Sequence, residues 1–563
     1  MPSSAPARDL AIYHERTRTR GVNRLVYWIV RTSLEPALLL YFRLARIGRE
    51  HIPKRGGAIL APNHRSFLDP LVIGICVRRP VYFMAKSELF RNRLQAWLLN
   101  SLGAFPVRRG EADEESMKTA RLLLERGEIV LVFPEGTRIR KGSLGKPKRG
   151  VGRLALETGV PVVPVAVTGS ERARRGWKVR PVKVRIRVGR PVTFPRVEQP
   201  SSRLAAEVTA RIWPCVELQW EWLGGLPPLR KAAIVGAGSM GTALATLLAR
   251  AGLEVQLGCR RAIAEQIDGE RENQRLPGVE LPDAVRVSTV AEIEFAGVDL
   301  VCLAVPSRDL PAAVGQVGAR IGERSAVLVL SEGLVPPLGV RPTSYVRERV
   351  PARAVACLGG PAHAAEAVRE GASVVLASSD ADFRAQFSKV IAAAGLDVEV
   401  TDDVAGAELA ACAKNAAALA AAAASTSGMN AAGAAASRVF SETHRLALSA
   451  GGRTETFLGL AGTGDLVGAA LADHSRNRRA GELLGRGVPA EQIPALLEET
   501  PESLDSVPLL VRAFDEAGLD APATRELGAL IEGRIGPEEW VASVRARKAG
   551  GRWRERAAAG SRG

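Results

Sequence analysis

The stretch KAAIVGAGSMG at 231–241 most constrains the fold, because it places a G-x-G-x-x-G turn between an apolar strand and a helix. Gly236, Gly238 and Gly241 permit a tight turn and a close approach of the backbone to a ligand. The N-terminus of the following helix, TALATLLARAG, then faces a pyrophosphate. The pattern predicts an α/β domain that binds a dinucleotide.

The next predicted strand, LEVQLG, ends about 20 residues later at Arg260 and Arg261. An acidic residue at this place binds the ribose of NAD, whereas arginines suit the 2′-phosphate of NADP. The alternative is a pair of solvated arginines at a strand end. The sequence therefore favours NADPH and leaves NADH open.

Strand-like and helical stretches alternate along most of the 563 residues, which is typical of α/β proteins. The alternation of strands and helices ends near residue 401. The alanine-rich sequence that follows contains Lys414 and predicts buried helices rather than a membrane span. LGGLPPLR at 223–230 resembles a linker. We predict four segments, which are an α/β domain at 1–228, a dinucleotide-binding domain at 229–400, a helical substrate domain at 401–545 and a flexible basic tail at 546–563.

Charge divides the chain unevenly. Residues 1–228 hold 41 Lys and Arg against 19 Asp and Glu, a net charge of +22, whereas residues 229–563 have a net charge of −5. A basic half predicts a polyanionic partner, and the chain lacks the aromatic and zinc-finger signatures of nucleic-acid binding. We expect an anionic membrane surface and no nucleic acid.

The apolar run at 25–42 is interrupted by Arg31, Glu35 and Pro36. It predicts two short interfacial helices, with Tyr27, Trp28 and Tyr41 as anchors, instead of a spanning helix. The alternative is an amphipathic hairpin packed on its own domain. No signal peptide is evident, and the scattered cysteines and histidines predict free thiols and no metal site. We expect a cytoplasmic protein associated peripherally with the inner face of the plasma membrane.

PNHRSFLDP at 62–70 places His64 five residues before Asp69. A neutral imidazole can take a proton from an attacking hydroxyl when a carboxylate holds its other nitrogen. Further on, FPEGTR contains Arg138, whose guanidinium matches phosphate oxygens. Arg108 and Arg109 in GAFPVRRG add positive charge, and VPVVPVAVTG supplies an apolar wall for an acyl chain. Together these features suggest acyl transfer onto a phosphorylated alcohol.

NHRSFLDP, GAFPVRR, FPEGTR and VPVVPVAV resemble the four blocks of the glycerolipid acyltransferase family, specifically the 1-acyl-glycerol-3-phosphate acyltransferases. The resemblance implies that His64 is the general base and that Asp69 orients it. It implies an acyl donor on coenzyme A or acyl carrier protein, and glycerol 3-phosphate or lysophosphatidate as acceptor. The substrate-binding residues that it implies are Glu135, Gly136, Arg138 and Arg108.

The second half carries further polar groups in apolar surroundings. Lys414 lies in the helical sequence AELAACAKNAAAL, where burial is expected to lower its pKa and make it usable in proton transfer. A buried structural lysine is the alternative. Asp465 follows a Gly-rich turn, and SRNRR at 475–479 suits an anionic substrate or cofactor, with a solvated basic helix start as the alternative.

GAGSMGTALA, LAVPS, GGPAHAAE, KN, GTGD and SRNRR resemble NAD(P)-dependent glycerol-3-phosphate dehydrogenase. The resemblance implies that Lys414 donates or accepts the proton and that dihydroxyacetone phosphate is the oxidised substrate. It also implies a substrate site at Gly360, Ala362, Asp465, Ser475, Arg476 and Asn477. The cofactor contacts that it implies are Ser239, Met240, Arg260, Ala364 and Arg476.

Three positions depart from that family. Glu332-Gly333 stands where the family has Lys-Gly, Ala362 replaces Ser or Thr, and Asp505-Ser506 replaces Glu-Gly. Glutamate in place of lysine reverses the sign of the charge at position 332. Two unit charges about 4 Å apart interact by roughly 4 kcal/mol at an effective dielectric near 20, so this reversal weakens the binding of an anionic substrate.

The overall expectation is a multidomain α/β protein, with an N-terminal α/β acyltransferase domain, a Rossmann NAD(P)-binding domain and an all-helical C-terminal substrate domain. The expected function is bifunctional phospholipid synthesis, and a homodimer is compatible with it. The alternative is an active acyltransferase with a degenerate nucleotide-binding domain that regulates or scaffolds it.

Overall fold

The computed structural model describes residues 7–108, 113–140, 142–175, 178–472, 475–497 and 500–546. Arg109 and nearly all of the predicted tail at 546–563 lie outside the described residues. Contacts divide the chain into two compact units, Met1–Pro228 and Leu229–Gly563.

The described strands of the N-terminal unit are β1 (Ala45–Ile47), β2 (Ala58–Pro62), β3 (Val81–Lys86), β4 (Ala104–Val107), β5 (Ile129–Leu131), β6 (Val162–Thr168), β7 (Arg174–Arg175), β8 (Lys178–Val179) and β9 (Arg185–Val188). Seven of them form a sheet in the order β1-β9-β6-β2-β5-β3-β4, in which only β6 and β9 pair antiparallel, and β7 and β8 pair with each other in a separate two-stranded sheet. Apolar side chains from alternate strand positions form buried clusters on both faces of the larger sheet, as expected of a parallel sheet covered by helices. The helices of this unit are α1 (Ala7–Arg20), α2 (Arg24–Tyr41), α3 (Asp69–Gly74), α4 (Arg93–Ser101), α5 (Glu114–Glu125), α6 (Gly150–Thr158) and α7 (Ser202–Trp222).

The prediction of two short helices within 25–42 is wrong. A single helix, α2, runs through Pro36 and begins at the N-cap Asn23, whose side chain accepts from the Val26 amide. Because proline removes one backbone donor, a helix can continue through it when the turns on either side keep their bonds. Tyr27 is also not an exposed anchor, since its side chain is buried, whereas Trp28 and Tyr41 are exposed.

The second unit begins with the strands β10 (Lys231–Val235), β11 (Glu254–Cys259), β12 (Val285–Thr289), β13 (Leu300–Leu303), β14 (Ala326–Val329), β15 (Ala354–Gly359), β16 (Ser373–Ser378) and β17 (Asp397–Thr401). They form an eight-stranded sheet in the order β12-β11-β10-β13-β14-β15-β16-β17, in which only β15 and β16 pair antiparallel. The helices around it are α8 (Ser239–Arg250), α9 (Arg261–Glu270), α10 (Leu310–Val317), α11 (Pro342–Arg349), α12 (Ala364–Arg369) and α13 (Ala381–Ala393). The strand order reverses at β10, whose carboxyl end carries the predicted glycine-rich turn.

In the described part of the chain after β17, the regular elements are helices. They are α14 (Val404–Ser425), α15 (Met429–Ser449), α16 (Thr454–Leu458), α17 (Asp465–Leu471), α18 (Arg476–Gly485), α19 (Ile493–Leu497), α20 (Glu502–Glu516), α21 (Pro522–Ile531) and α22 (Pro537–Ala546). The alanine-rich α14 is buried along nearly its whole length, as the sequence predicted. The predicted fold class, α/β with a helical C-terminal part, is confirmed.

Among the residues that the structure describes, we find no helix that combines the length and the apolar character needed to cross a membrane.

Candidate active sites

His64 and Asp69 form a buried pair in the N-terminal unit. His64 follows β2, and Asp69 is the first residue of α3, so the loop between them returns the carboxylate to the imidazole. His64 Nδ1 lies 2.9 Å from Asp69 Oδ2, and Asp69 is fully buried. The same oxygen accepts from the amides of Arg65 and Ser66 at 2.6 and 2.7 Å, and Oδ1 accepts from Ser170 Oγ at 2.6 Å. These bonds fix the carboxylate that orients the imidazole.

Glu135 supports the same loop from the opposite side. Its two carboxylate oxygens accept from the His64 amide at 2.5 Å and from the Gly145 amide at 2.6 Å. Burial raises the pKa of Glu135, and the two amide bonds oppose that rise. The imidazole of His64 stacks on Phe133, with ring centroids 3.9 Å apart. His64 is therefore held in three ways: Asp69 contacts Nδ1, Phe133 stacks on one face of the ring, and Glu135 accepts from the backbone amide.

Next to this pair lies a cavity of about 300 Å³. Guanidinium groups dominate its lining, which suits a phosphate or another polyanion. The described residues that line it are Arg65, Ser66, Phe67, Arg138, Arg140, Glu171 and Arg174.

Arg138 is the sequence-predicted residue that lines this cavity. Arg108 is exposed, its amide donates to Asp113 Oδ2 at 2.8 Å, and it is not among the described lining residues. Gly136 adopts a left-handed φ of 67° in the turn before Arg138. Sequence reasoning did not single out Arg65, Arg140 and Arg174. Arg65 directly follows His64, and Arg140 lies two residues after Arg138 in an R-x-R pattern. Both could therefore have been predicted from the sequence as cavity residues.

The glycine-rich turn of the second unit fits a dinucleotide. Gly236 has a left-handed φ of 111°, and a side chain there would meet the Ala304 carbonyl at 2.3 Å. A Cβ at Gly241 would lie 2.0 Å from the Gly236 carbonyl, whereas one at Gly238 would point into open space. The turn thus brings α8 close to β10 and leaves room for a ligand at Gly238, where the helix N-terminus attracts a pyrophosphate.

Four other predicted cofactor residues lie at the start of α8 or just after β11, the strand that pairs with β10. Ser239 begins α8, and its Oγ donates to the Arg275 carbonyl at 2.7 Å. Met240 follows it, and the exposed Arg260 and Arg261 stand at the end of β11. Sequence reasoning missed the buried Asn273, whose Nδ2 donates to the Ala237 carbonyl at 3.0 Å and to Thr242 Oγ1 at 2.7 Å. Asn273 therefore braces the turn.

Lys414 lies on α14 between two carboxylates. Its Nζ donates to Asp465 Oδ2 at 2.6 Å and to Glu332 Oε1 at 2.9 Å. Asp465 begins α17 directly after a π-helical turn at Leu460–Gly464, a local irregularity that is common at functional sites. The structure thus brings the predicted Lys414 and Asp465 together.

The predicted direction of the pKa shift of Lys414 is wrong. Burial lowers this pKa, as expected, but Glu332 and Asp465 outweigh burial, and the pKa of Lys414 is raised. The pKa of Glu332 is lowered because Lys414, Asn415 and Arg476 outweigh its burial. Burial raises the pKa of Asp465 against the pull of Lys414. Lys414 is therefore a protonated group held between acids.

A hydrogen-bonded chain extends from this cluster to the start of α18. Asn415 Nδ2 donates to Glu332 Oε2 at 3.2 Å, and Asn477 Nδ2 donates to Asn415 Oδ1 at 2.8 Å. Asn477 Oδ1 in turn accepts from Ser503 Oγ at 2.6 Å. Ser475 is the N-cap of α18, which places Arg476 and Asn477 in its first turn.

The loop after β15 approaches the same helices. Gly360 has a left-handed φ of 104°, and Ala362 and Ala364 are half-buried. A Cβ at Gly468 on α17 would lie 3.7 Å from Pro361 Cβ, so this loop borders the helix that Asp465 begins. Asp505, one of the departures from the family pattern, pairs with Arg308 at 2.7 Å.

Three family models match this chain. Residues 43–168 match Acyltransferase, residues 231–384 match the N-terminus of NAD-dependent glycerol-3-phosphate dehydrogenase, and residues 403–542 match the C-terminus of that dehydrogenase.

Similar whole proteins match the second unit. The glycerol-3-phosphate dehydrogenase [NAD(P)+] of Methylococcus capsulatus is 36% identical over 320 residues, which are 55% of this chain and 95% of that protein. The protein of the same name from Parafrankia is 34% identical over 333 residues, 58% of this chain and 100% of that protein. The crystal structure of glycerol-3-phosphate dehydrogenase from Coxiella burnetii matches with a TM-score of 0.54 and 28% identity, covering 57% of this chain and 100% of that one.

These matches coincide with the two groups of functional residues described above. The chain therefore belongs to the NAD(P)-dependent glycerol-3-phosphate dehydrogenase family, with an acyltransferase-family domain preceding the dehydrogenase region.

Proposed function

We propose that this chain is a bifunctional enzyme of glycerolipid synthesis. Its N-terminal unit transfers an acyl group from a thioester to glycerol 3-phosphate or its 1-acyl derivative. Its second unit interconverts dihydroxyacetone phosphate and sn-glycerol 3-phosphate with NADH or NADPH. The observation that carries the proposal is the presence in one chain of two pairs of ionisable side chains in contact, His64–Asp69 beside an arginine-lined cavity and Lys414–Asp465 in the dehydrogenase region.

In acyl transfer, His64 acts as the general base. With the proton on Nδ1 directed at Asp69, Nε2 is free to take the proton of the acceptor hydroxyl. The hydroxyl oxygen attacks the thioester carbonyl, the carbon–sulfur bond breaks, and the imidazolium returns the proton to the leaving thiolate. Asp69 stabilises the imidazolium between these two steps.

The arginine-lined cavity supports phosphate as the anchoring group of the acceptor. Arg138 and Arg140 follow β5, and Arg65 follows His64 directly, so a phosphate held there lies near the base. Glu135 uses both carboxylate oxygens on backbone amides. We therefore assign Glu135 to positioning the His64 loop instead of contacting the phosphate.

The acyl donor and a membrane partner are part of the same proposal. Lysophosphatidate and long-chain acyl thioesters partition to bilayers, and the N-terminal unit presents exposed apolar side chains on α2 and α4. These are Leu25, Trp28, Ile29, Leu40, Leu94, Trp97 and Leu98. Basic residues accompany them, including Arg24 and Arg93, which attract an anionic leaflet. The acyl group would arrive on coenzyme A or acyl carrier protein.

In the reductase unit, Lys414 supplies the proton. The nicotinamide of the bound cofactor supplies the hydride for reduction of the carbonyl carbon. Gly236, Gly238 and the N-terminus of α8 would hold the cofactor pyrophosphate, and Arg260 with Arg261 would lie near its ribose. Lys414, kept protonated by Glu332 and Asp465, donates its proton to the carbonyl oxygen that becomes the hydroxyl.

Two assays on the purified full chain test the proposal. Release of free coenzyme A is measured with an acyl thioester and either glycerol 3-phosphate or lysophosphatidate, and loss of reduced-nicotinamide absorbance is measured with dihydroxyacetone phosphate. Both reactions are expected. A chain that releases coenzyme A but never consumes NADH or NADPH would overturn the bifunctional assignment.

A further inference from the structure

Glu332 occupies an unusual place in the reductase site. It lies just after β14, and its carboxylate contacts Lys414 Nζ at 2.9 Å and Asn415 Nδ2 at 3.2 Å. Its own amide donates to Glu502 Oε2 at 3.1 Å, and Glu502 Oε1 accepts from the Ser307 amide at 2.7 Å. The carboxylate is therefore held against the catalytic lysine from both its side chain and its backbone.

Lys414, Glu332 and the three ionisable groups that contact them or act on Glu332 electrostatically carry no net positive charge. Lys414 and Arg476 are cations, and Glu332, Asp465 and Glu502 are carboxylic acids. With Glu502 ionised these five groups sum to −1, and with Glu502 protonated they sum to zero. In neither state do they provide the net positive charge that attracts a phosphate ester. Without the Glu332 charge the sum would be higher by one.

We propose that Glu332 sets the charge selectivity of the reductase site. It acts as an internal ligand of Lys414 that weakens the binding of phosphate-bearing substrates relative to uncharged ones. The negative charge of Glu332 repels the phosphate of a substrate that enters the cluster, whereas it does not repel an uncharged triose. This inference rests on the proposed reductase function, because it concerns the substrate of that same centre.

The variants Glu332→Gln and Glu332→Lys test the inference. Glutamine keeps the shape and can still hydrogen bond to Asn415, so the fold is retained, and lysine reverses the charge. Glu348→Gln removes the same charge at an exposed position on α11, where Glu348 pairs with Arg349 and does not take part in the Lys414 cluster. It is the matched control, and circular dichroism checks the folding of all variants.

We measure KM and kcat for dihydroxyacetone phosphate and for uncharged dihydroxyacetone. Glu332→Gln is expected to lower the KM for the phosphate ester at least about tenfold, with a larger drop in Glu332→Lys, because glutamine removes one negative charge near the substrate and lysine replaces it with a positive one. Glu332 also contacts the proton donor Lys414, so the comparison uses the ratio of kcat/KM for dihydroxyacetone phosphate to kcat/KM for dihydroxyacetone, in which an effect on Lys414 common to both substrates cancels. This ratio is expected to rise at least about tenfold in Glu332→Gln. A structural role would alter both substrates together. Equal changes for both substrates, or none, would overturn the inference.

Calorimetric titration with inorganic phosphate separates this inference from the proposed function. The N-terminal cavity contributes equally to wild type and Glu332→Gln, so a difference between the two titrations reports the reductase site. Tighter phosphate binding in the variant is expected. If neither wild type nor any variant consumes NADPH, the proposed reductase function fails, and the titrations still decide the inference: unchanged phosphate binding overturns it.

Discussion

In both proposed active centres, hydrogen-bond partners position the side chains to which we assign the chemistry. Asp69 accepts from the His64 imidazole, the Arg65 and Ser66 amides and the Ser170 hydroxyl, so all its bonds require a carboxylate acceptor. Lys414 Nζ likewise donates to Glu332 and Asp465, and these two carboxylates raise its pKa. In each centre the reactive group is positioned by hydrogen bonds that the sequence spacing alone does not reveal.

Asp69→Asn is expected to lower acyl transfer by at least about 100-fold, because an amide can leave His64 in the wrong tautomer. It is also expected to destabilise the N-terminal unit by about 1–3 kcal/mol, since its amide group would face backbone donors. Coenzyme A release and thermal unfolding measure the two effects, with NADPH oxidation as the internal control. Acyl transfer at the wild-type rate would show that Asp69 does not orient the base.

The raised pKa of Lys414 predicts the pH dependence of reduction. A raised pKa keeps the lysine protonated and able to donate until the pH passes the ordinary lysine value of about 10.4. We expect kcat/KM for dihydroxyacetone phosphate to show no alkaline loss between about pH 7 and pH 9. Initial rates in overlapping buffers measure it. A loss of kcat/KM centred near neutral pH would mean that burial lowers the pKa of Lys414 by more than Glu332 and Asp465 raise it.

The sequence predicted which residues lie together better than it predicted their electrostatics. His64, Asp69, Lys414 and Asp465 stand in short motifs, and the structure brings each pair into contact. The direction of the Lys414 pKa shift was missed because it depends on Glu332, which lies 82 residues away in the chain. Arg174 in the cavity was missed for a similar reason, since it lies far from the other cavity arginines in sequence.

Among the elements, α14 is the central support of the reductase site. It carries Lys414 and Asn415, and its buried face contacts α18, which begins with Arg476 and Asn477. Two glycines of α18 make this contact close. A Cβ at Gly481 would lie 2.3 Å from the Leu419 carbonyl, and one at Gly485 would lie 2.6 Å from the Ala423 carbonyl. The separation of these helices therefore sets the position of Asn477 relative to Asn415.

Gly481→Val is expected to destabilise the second unit by about 1–3 kcal/mol, because overpacking forces the helices apart. Dihydroxyacetone phosphate reduction should fall with it, while coenzyme A release stays unchanged. Gly433→Ala on the exposed face of α15 is the control, since a Cβ there meets nothing within 4 Å. Thermal unfolding measures both variants. If Gly481→Val unfolded like the control, close packing at this contact would not support the site.

The alternation of strands and helices could be predicted from the sequence because apolar runs such as KAAIV and GAILAP are followed by turns. The strands β4 and β12 were harder to predict from sequence, because β4 has only four residues and contains Pro106, and β12 carries polar residues at three of its five positions. The continuity of α2 through Pro36 was likewise set by packing and capping, which a local proline rule does not capture.

At the scale of the whole molecule, the two units that differ in net charge, residues 1–228 and 229–563, also carry the two different proposed activities. The basic N-terminal unit carries the arginine-lined cavity and the exposed apolar residues of α2 and α4, whereas the second unit carries the dinucleotide turn and the Lys414 cluster. The proposed membrane association belongs to the first unit, and its loss should spare the reductase.

The double variant Leu94→Asp/Trp97→Asp tests this association. Both side chains are exposed on α4, so the change should leave the fold intact. The wild type is expected to sediment with vesicles that contain anionic phospholipid, and the variant to remain largely in the supernatant. Leu496→Asp, at an exposed position on α19 in the second unit, serves as the control. Equal sedimentation of all three proteins would exclude this face as the membrane contact.

The central claim is that one chain holds two independent active centres. The most direct measurement assays both reactions in the same preparations of the full-length variants His64→Ala and Lys414→Ala. We predict that His64→Ala loses coenzyme A release and keeps NADPH oxidation, and that Lys414→Ala shows the reverse. Loss of both activities in either folded variant, or retention of both, would contradict the claim.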